Sequence, residues 1–179
     1  MTNTAEKHKS KIKQISQTDL FSELLSNHKE RVYWLIRKMV LSHEDANDVT
    51  QEVFLKVWKN LDQFKGESSY YTWIHRIAVN ESLNFLEKKK RKINTSEFNQ
   101  YLFETLTSDS YFDGDEEIKK LHKAVLTLPD KQRLVFNLKY FENRKYQEIS
   151  EITGTSEGAL KASYHLAIKK ITSMIKNES

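Results

Sequence analysis

The sequence predicts an all-α protein: two small helical domains joined by an acidic flexible linker, the second built around a helix-turn-helix. Three observations predict it. The 179 residues include one Pro and four Gly, too few breakers for the frequent turns of an all-β fold. Apolar residues recur at three- and four-residue spacing through two long stretches, which is the period of helices with one buried face. Charge falls in blocks. Residues 1–92 carry 17 Lys and Arg against 12 Asp and Glu, residues 93–118 carry none against 7, and residues 119–179 carry 12 against 6. Two basic bodies flanking an acidic strip suit two lobes that touch one polyanion, though two solvated domains on a polar tether give the same pattern.

Residues 1–18 read as a disordered basic tail. They lack the apolar core of a signal peptide, and no apolar run in the chain reaches the roughly 18 residues of a membrane span. Cys is absent, which excludes disulfides and thiolate metal sites. A cytoplasmic protein without membrane insertion is expected.

Residues 19–92 form the first expected domain. In its first helix Phe21, Leu24, Leu25, His28, Val32, Leu35, Ile36, Met39 and Val40 recur at helical spacing. Ser42 is placed to cap the second helix, whose Val49, Val53, Phe54, Val57, Trp58 and Leu61 should point inward. A loop at 64–69 precedes a long third helix from about Tyr70 to Lys90, closed by the charge run Lys88 to Lys92. Residues 93–117 show no sustained period and are rich in Ser, Thr, Asn and Asp, as a linker is. The second domain, 118–179, opens with Leu121, Val125 and Leu128 on one helix, stopped by Pro129. Asp130 is placed to cap the next helix, with Leu134, Val135, Leu138 and Phe141 as its buried stripe. A short helix follows at Tyr146–Thr153, then a turn at Gly154, then a final helix from about Ser156.

Four features carry chemistry. Asp45, Asp48, Gln51, Glu52 and Lys56 share the outer face of the second helix. The three carboxylates could in principle hold a divalent metal, but no further ligands converge on them, so no metal is expected. Tyr70, Trp73, Arg76 and Asn80 leave the third helix with stacking surfaces, a guanidinium and an amide on one face. That mixture suits unstacked single-stranded bases; the plain alternative is that Trp73 is a core residue. The run from Lys88 could track phosphates, or simply solvate a helix end. In the last segment Gly154 permits a left-handed helix exit and Ser156 can cap the next helix. Leu160, Tyr164, Ala167 and Ile171 would pack inward, leaving Glu157, Gly158, Lys161, Ala162, His165 and Lys169 outward, as on a helix that enters a DNA groove. A plain helical hairpin is the competing reading.

The stretches 44–58, 64–80 and 128–171 closely resemble, in order and spacing, the sigma-70 family of bacterial RNA polymerase sigma factors, and within it the short extracytoplasmic-function (ECF) group. The resemblance implies a promoter-specificity factor with no catalytic residues and no cofactor. Its partners would be core RNA polymerase (the clamp coiled coil and the flap), promoter DNA and, as is common in the group, an anti-sigma factor. It implies that Asp45, Asp48, Gln51, Glu52 and Lys56 dock on the polymerase. It implies that Gly66, Ser68, Ser69, Tyr70, Trp73, His75, Arg76 and Asn80 read and melt the −10 element. It implies that Ser156, Glu157, Gly158, Lys161, Ala162, His165 and Lys169 meet the −35 element. The linker would thread the polymerase near the template strand. One departure stands out. The stretch 161–166 has one Lys and no Arg, where the group usually places several Arg, so an altered −35 preference is expected. The competing functional reading is a helix-turn-helix regulator that acts without polymerase. An enzyme is disfavoured, since no phosphate-binding Gly-rich loop or nucleophile set is present.

Overall fold

Ser16 accepts a hydrogen bond from the backbone N–H of Asp19 at 3.1 Å, and this cap starts the first helix, α1 (Gln17–Val40), two residues earlier than the apolar pattern suggests. The computed structural model describes residues 16–109 and 115–177; the tail expected over 1–18 lies mostly outside them. Leu41 takes a positive φ of 65° and ends α1, and Ser42 then caps α2 (His43–Asn60) through the Asp45 N–H. A single 3-10 turn, Leu61–Gln63, leads into a loop turned by Gly66 at φ 71°. Ser69 caps α3 (Tyr70–Lys92) by accepting from the Thr72 N–H.

These three helices pack on one another through Val32, Ile36, Met39, Ala46, Val53, Val57, Ile74 and Ala78, all essentially inaccessible to solvent. Each large apolar side chain removed from water in this way contributes roughly 1.5–3 kcal/mol. Trp58 departs from expectation. It is 37% exposed, lying edge-on against Phe21 at 5.1 Å between centroids rather than inside.

The acidic linker is not a structureless tether. It contains a helix, α4 (Thr95–Ser108), capped by Asn94 through the Glu97 N–H. Phe98, Leu102 and Leu106 are buried, spaced four apart, with Tyr101 and Thr105 between them. This is a short but complete helical stripe. It is masked in the sequence by the surrounding Ser, Thr and Asn, two of which are in fact capping and first-turn residues. Asp109, just past the helix, pairs with the buried Arg37 of α1.

The second lobe comprises α5 (Glu116–Leu126), α6 (Asp130–Phe136) widening into a π-helical turn (Asn137–Phe141), α7 (Tyr146–Thr153) and α8 (Glu157–Asn177). Asp130 does not cap α6. It occupies the first helical position after Pro129, and its carboxylate takes Lys90 at 2.6 Å and Arg133 at 3.3 Å. Nor does α6 have a single buried stripe: Arg133, Leu134, Val135, Phe136, Asn137 and Leu138 are all buried. From Arg133 onward the helix is enclosed because it lies between the lobes. Leu134, Val135 and Leu138, with Ile149, Ile152 and Leu160, are continuous with the core of α1–α3. Phe136 turns the other way, into a separate cluster with Val125, Leu128, Ala167 and Ile171.

Truncating Leu102 to Ala should therefore lower unfolding stability by about 2–5 kcal/mol, the cost of a cavity at a closed site. Phe103→Ala, on the same helix but 45% exposed, should cost less than about 1 kcal/mol. Urea titration of both variants distinguishes a docked α4 from a loose one.

Candidate functional site

The outer face of α2 is divided by its neighbours. Asp48, Gln51 and Glu52 are open to solvent. Asp45 is engaged instead: its carboxylate receives Lys89 Nζ at 2.5 Å and the Tyr101 hydroxyl of α4 at 2.9 Å. Lys56 is likewise held, by Glu81 at 2.6 Å. Leu55, 49% exposed, falls one turn beyond Gln51 and extends the open stripe, a position that inward-versus-outward reading of α2 passed over. Beside the stripe a groove of about 1290 Å³ runs between α1 and α2, lined by Leu25, Tyr33, Phe54, Leu55 and Trp58.

At the head of α3 three aromatic rings meet. Phe64 stacks on Tyr70 at 4.4 Å and approaches Trp73 at 5.0 Å. Gly66, Ser68 and Ser69 form the adjoining loop, where the left-handed Gly66 makes the turn. Phe64 opens the stretch 64–80 but is not among the site residues that the resemblance implies; only the fold brings its ring onto the other two. Asn80 is exposed. Arg76 reaches across to the second lobe and donates to the Glu151 carbonyl from Nε at 3.2 Å and Nη2 at 2.6 Å.

His75 does not belong with these residues. It is fully buried, its Nδ1 against the Tyr71 carbonyl at 2.8 Å and its ring stacked on Tyr71 at 3.8 Å. The position follows from helix geometry, because His75 lies next to the inward Ile74 and Ala78 on the turn of α3 that faces α1. Burial pushes its pKa down to about 4, with the Arg144, His28 and Arg31 charges adding to the effect. Burial also pushes the Tyr71 hydroxyl up to about 12. The Arg144 guanidinium of the second lobe lies 4.8 Å from the Tyr71 ring centre, a cation–π contact across the lobe boundary.

The charge run that ends α3 is largely committed within the chain: Lys89 to Asp45, Lys90 to Asp130, and Arg91 to Glu87. In the helix-turn-helix, Gly154 adopts φ 69° and its N–H returns to the Ser150 carbonyl. Ser156 accepts from the Ala159 N–H at 3.4 Å. Leu160, Ala167 and Ile171 are buried. Glu157, Gly158, Lys161, Ala162, His165 and Lys169 face outward, with open space where a Cβ on Gly158 would lie. Lys161 is partly tethered, 3.6 Å from Glu157 and 5.6 Å above the Tyr146 ring.

Comparison with known proteins accounts for both lobes. The family model for sigma-70 region 2 matches residues 24–92, and that for sigma-70 region 4 matches residues 118–171. The chain belongs to the sigma-70 family, in its ECF group. The sigma factor SigW of Bacillus subtilis is 28% identical over 170 residues, covering 88% of this chain and 90% of its own. The sigma-H factor of Pseudomonas aeruginosa is 25% identical over 177 residues, covering 89% of each. Among solved structures, the fold resembles the sigma factor RpoE of Bartonella quintana bound to the anti-sigma factor NepR, with TM-score 0.66 and 20% identity over 87% of this chain and 96% of that one. It also resembles CnrH bound to the cytosolic domain of CnrY, with TM-score 0.64 and 18% identity over 89% of each chain. This sigma factor thus binds core RNA polymerase and directs promoter-specific initiation. The regulator that works without polymerase is not favoured, because it leaves residues 24–92 without a role.

The buried His75 gives the sigma factor a pH dependence. Its folded pKa of about 4 lies below the ordinary 6.5, so between those values the unfolded chain binds the extra proton. The stability this contributes is fully present above pH 6.5 and is lost as pH falls toward 4, by up to about 3 kcal/mol. His75→Phe should flatten that part of the stability–pH curve, measured by urea unfolding from pH 7.5 to 4.

Proposed function

We propose that the division of labour within this sigma factor follows three separate surfaces. The segment 19–92 docks on the polymerase clamp through Asp48, Gln51, Glu52 and Leu55, and reads and melts the −10 element through Phe64, Tyr70, Trp73, Arg76 and Asn80. The segment 118–179 contacts the polymerase flap and presents the outward face of α8 to the −35 element. Residues 93–117, with α4 at their centre, connect the two. The observation that carries this reading is the segregation of chemistry. An open acidic stripe borders an aromatic groove on α2, an aromatic trio heads α3, and α8 has an outward face that no other described helix covers.

Each surface suits its target. Carboxylates beside apolar side chains meet a basic helical partner, with charge setting orientation and aromatics supplying burial. Phe64, Tyr70 and Trp73 offer planes for unstacked bases, and Asn80 a donor and acceptor for a base edge. In the chain alone Arg76 is occupied by the Glu151 carbonyl, so the −10 face becomes available when the lobes part on the polymerase. The sigma factor acts in the cytoplasm, beside the polymerase, and performs no catalytic step of its own. No described helix is long and apolar enough to cross a membrane. An anti-sigma protein is its proposed regulator, on the strength of the two structural neighbours solved with one.

Asp48→Arg combined with Glu52→Arg should leave the fold intact and weaken binding to core polymerase at least about tenfold, since like charges across an interface cost several kcal/mol. Unchanged capture of core polymerase would remove the docking assignment. Asn80→Ala should retain that capture but reduce permanganate reactivity of −10 thymines. In a gel shift the sigma factor alone should leave promoter duplex unretarded, while holoenzyme retards it.

A further inference from the structure

Leu166 is the most exposed large apolar side chain among the described residues, at 55%. A lone exposed Leu on a protein surface needs no explanation. This one is on α8, and it is not alone there. Ala159 and Ala162 are exposed beside it, and Ala162 precedes Leu166 by four residues, one helical turn. At 100° per residue the outward face has two edges. Glu157, Lys161 and His165 form a polar edge. Ala159, Ala162 and Leu166 form an apolar one. Gly158 and Lys169 run between them.

The face has no Arg, Asn or Gln, so the planar two-pronged contacts these side chains make with guanine or adenine are not available on it. Lys161 is drawn toward Glu157 and Tyr146 on the polar edge. An apolar side chain in a major groove has one sequence-bearing partner, the C5 methyl of thymine. Two features bring the apolar edge within reach of it. Nothing lies within 4 Å of where a Cβ on Gly158 would be, which lets the start of the helix approach the groove closely. Lys169 is exposed in the turn beyond Leu166, where it can hold a phosphate; Lys170 beside it donates to the Thr127 carbonyl at 2.6 Å.

We propose that Leu166, together with Ala162, forms a seat for a thymine methyl group, and that this sigma factor selects thymine at one −35 position by that contact. The proposal rests on the reading of α8 as the −35-reading helix, and it adds the base and the atom that are read.

The experiment uses holoenzyme reconstituted with core polymerase. Run-off transcription on a randomised −35 library identifies the thymines that wild type prefers. Each is then replaced singly by deoxyuridine, which removes the methyl and leaves the base-pairing edge unchanged. At one position wild-type transcription should fall about fourfold, the factor for one buried methyl. Leu166→Ala should transcribe the thymine and uracil templates equally, at the wild-type uracil level. Lys161→Ala and His165→Ala should keep the fourfold ratio even where overall activity changes. Two results overturn the proposal while leaving the helix assignment standing: −35-dependent transcription in which no thymine-to-uracil change matters, or Leu166→Ala retaining the ratio. Weakened capture of core polymerase by Leu166→Ala, with the ratio intact, would instead make this edge a polymerase contact. Transcription indifferent to the whole −35 sequence would overturn the assignment of α8, and Leu166 with it.

Discussion

The arrangement of the whole chain depends on how α6 is held at the C-terminal end of α1. The last carbonyls of a helix have no partner within it, and at α1 two of them are turned into a joint. Arg133 Nη2 donates to the Met39 carbonyl at 3.1 Å, and Asn137 Nδ2 donates to the Lys38 carbonyl at 3.2 Å. The positive guanidinium also opposes the negative end of the α1 dipole. Around these bonds Leu134, Val135 and Leu138 enter the first lobe's core, while Phe136 enters the second's. A buried Arg is tolerable only when it is paired, and Asp130 supplies the counter-charge. Asp130 in turn binds Lys90 at the end of α3. One seven-residue helix thereby ties α1 and α3 to α5 and α8 of the second lobe.

That joint brings the two expected DNA-reading lobes face to face, and the consequence is visible at α3. Its outer side packs against α7, the first helix of the helix-turn-helix. Arg76 lies on the Glu151 carbonyl, and Tyr71 lies under Arg144. Beneath these polar contacts Ile149 and Ile152 of α7 join the apolar core of α1–α3. Between α1 and α3, the Tyr71 hydroxyl, His75 Nε2 and His28 Nδ1 are buried with no hydrogen-bond partner among the described residues. Unpaired buried polar atoms are costly, so this patch of the α1–α3 packing is less favourable than the apolar core around it. The outward face of α8 points away from the boundary and stays bare.

Most of the helices were legible because each has one solvated face, and period alone locates such helices. Caps at Ser42 and Ser156 and the left-handed Gly154 were legible for local reasons, a short oxygen or a missing Cβ at a chain reversal. The misreadings have other causes. α4 was hidden because its stripe of Phe98, Leu102 and Leu106 is only three turns long and is surrounded by Ser, Thr and Asn, which also mark loops. Trp58 was placed inside because its spacing from Phe54 and Leu61 fits the buried stripe. It lies at the edge of that stripe, where Phe21 covers one side only. Asp45 looked like an open carboxylate because nothing in its neighbourhood of sequence reveals Lys89, 44 positions away, or Tyr101, 56 positions away. His75 was placed among base-reading residues because it sits within the aromatic motif.

By itself, the sequence determined the helical class, the two lobes, the capped turn of the helix-turn-helix and the absence of Arg from the start of its second helix. These depend on local preference and on periodicity, which act between residues a few positions apart. Only the tertiary structure decided which polar side chains remain available. Asp48, Gln51 and Glu52 are open while Asp45 is spent on Lys89; Asn80 is open while Arg76 is held by Glu151; and His75 is buried. Availability is set by whichever distant group comes to lie against a side chain, and the joint at α1 and α6 brings residues nearly a hundred positions apart into contact.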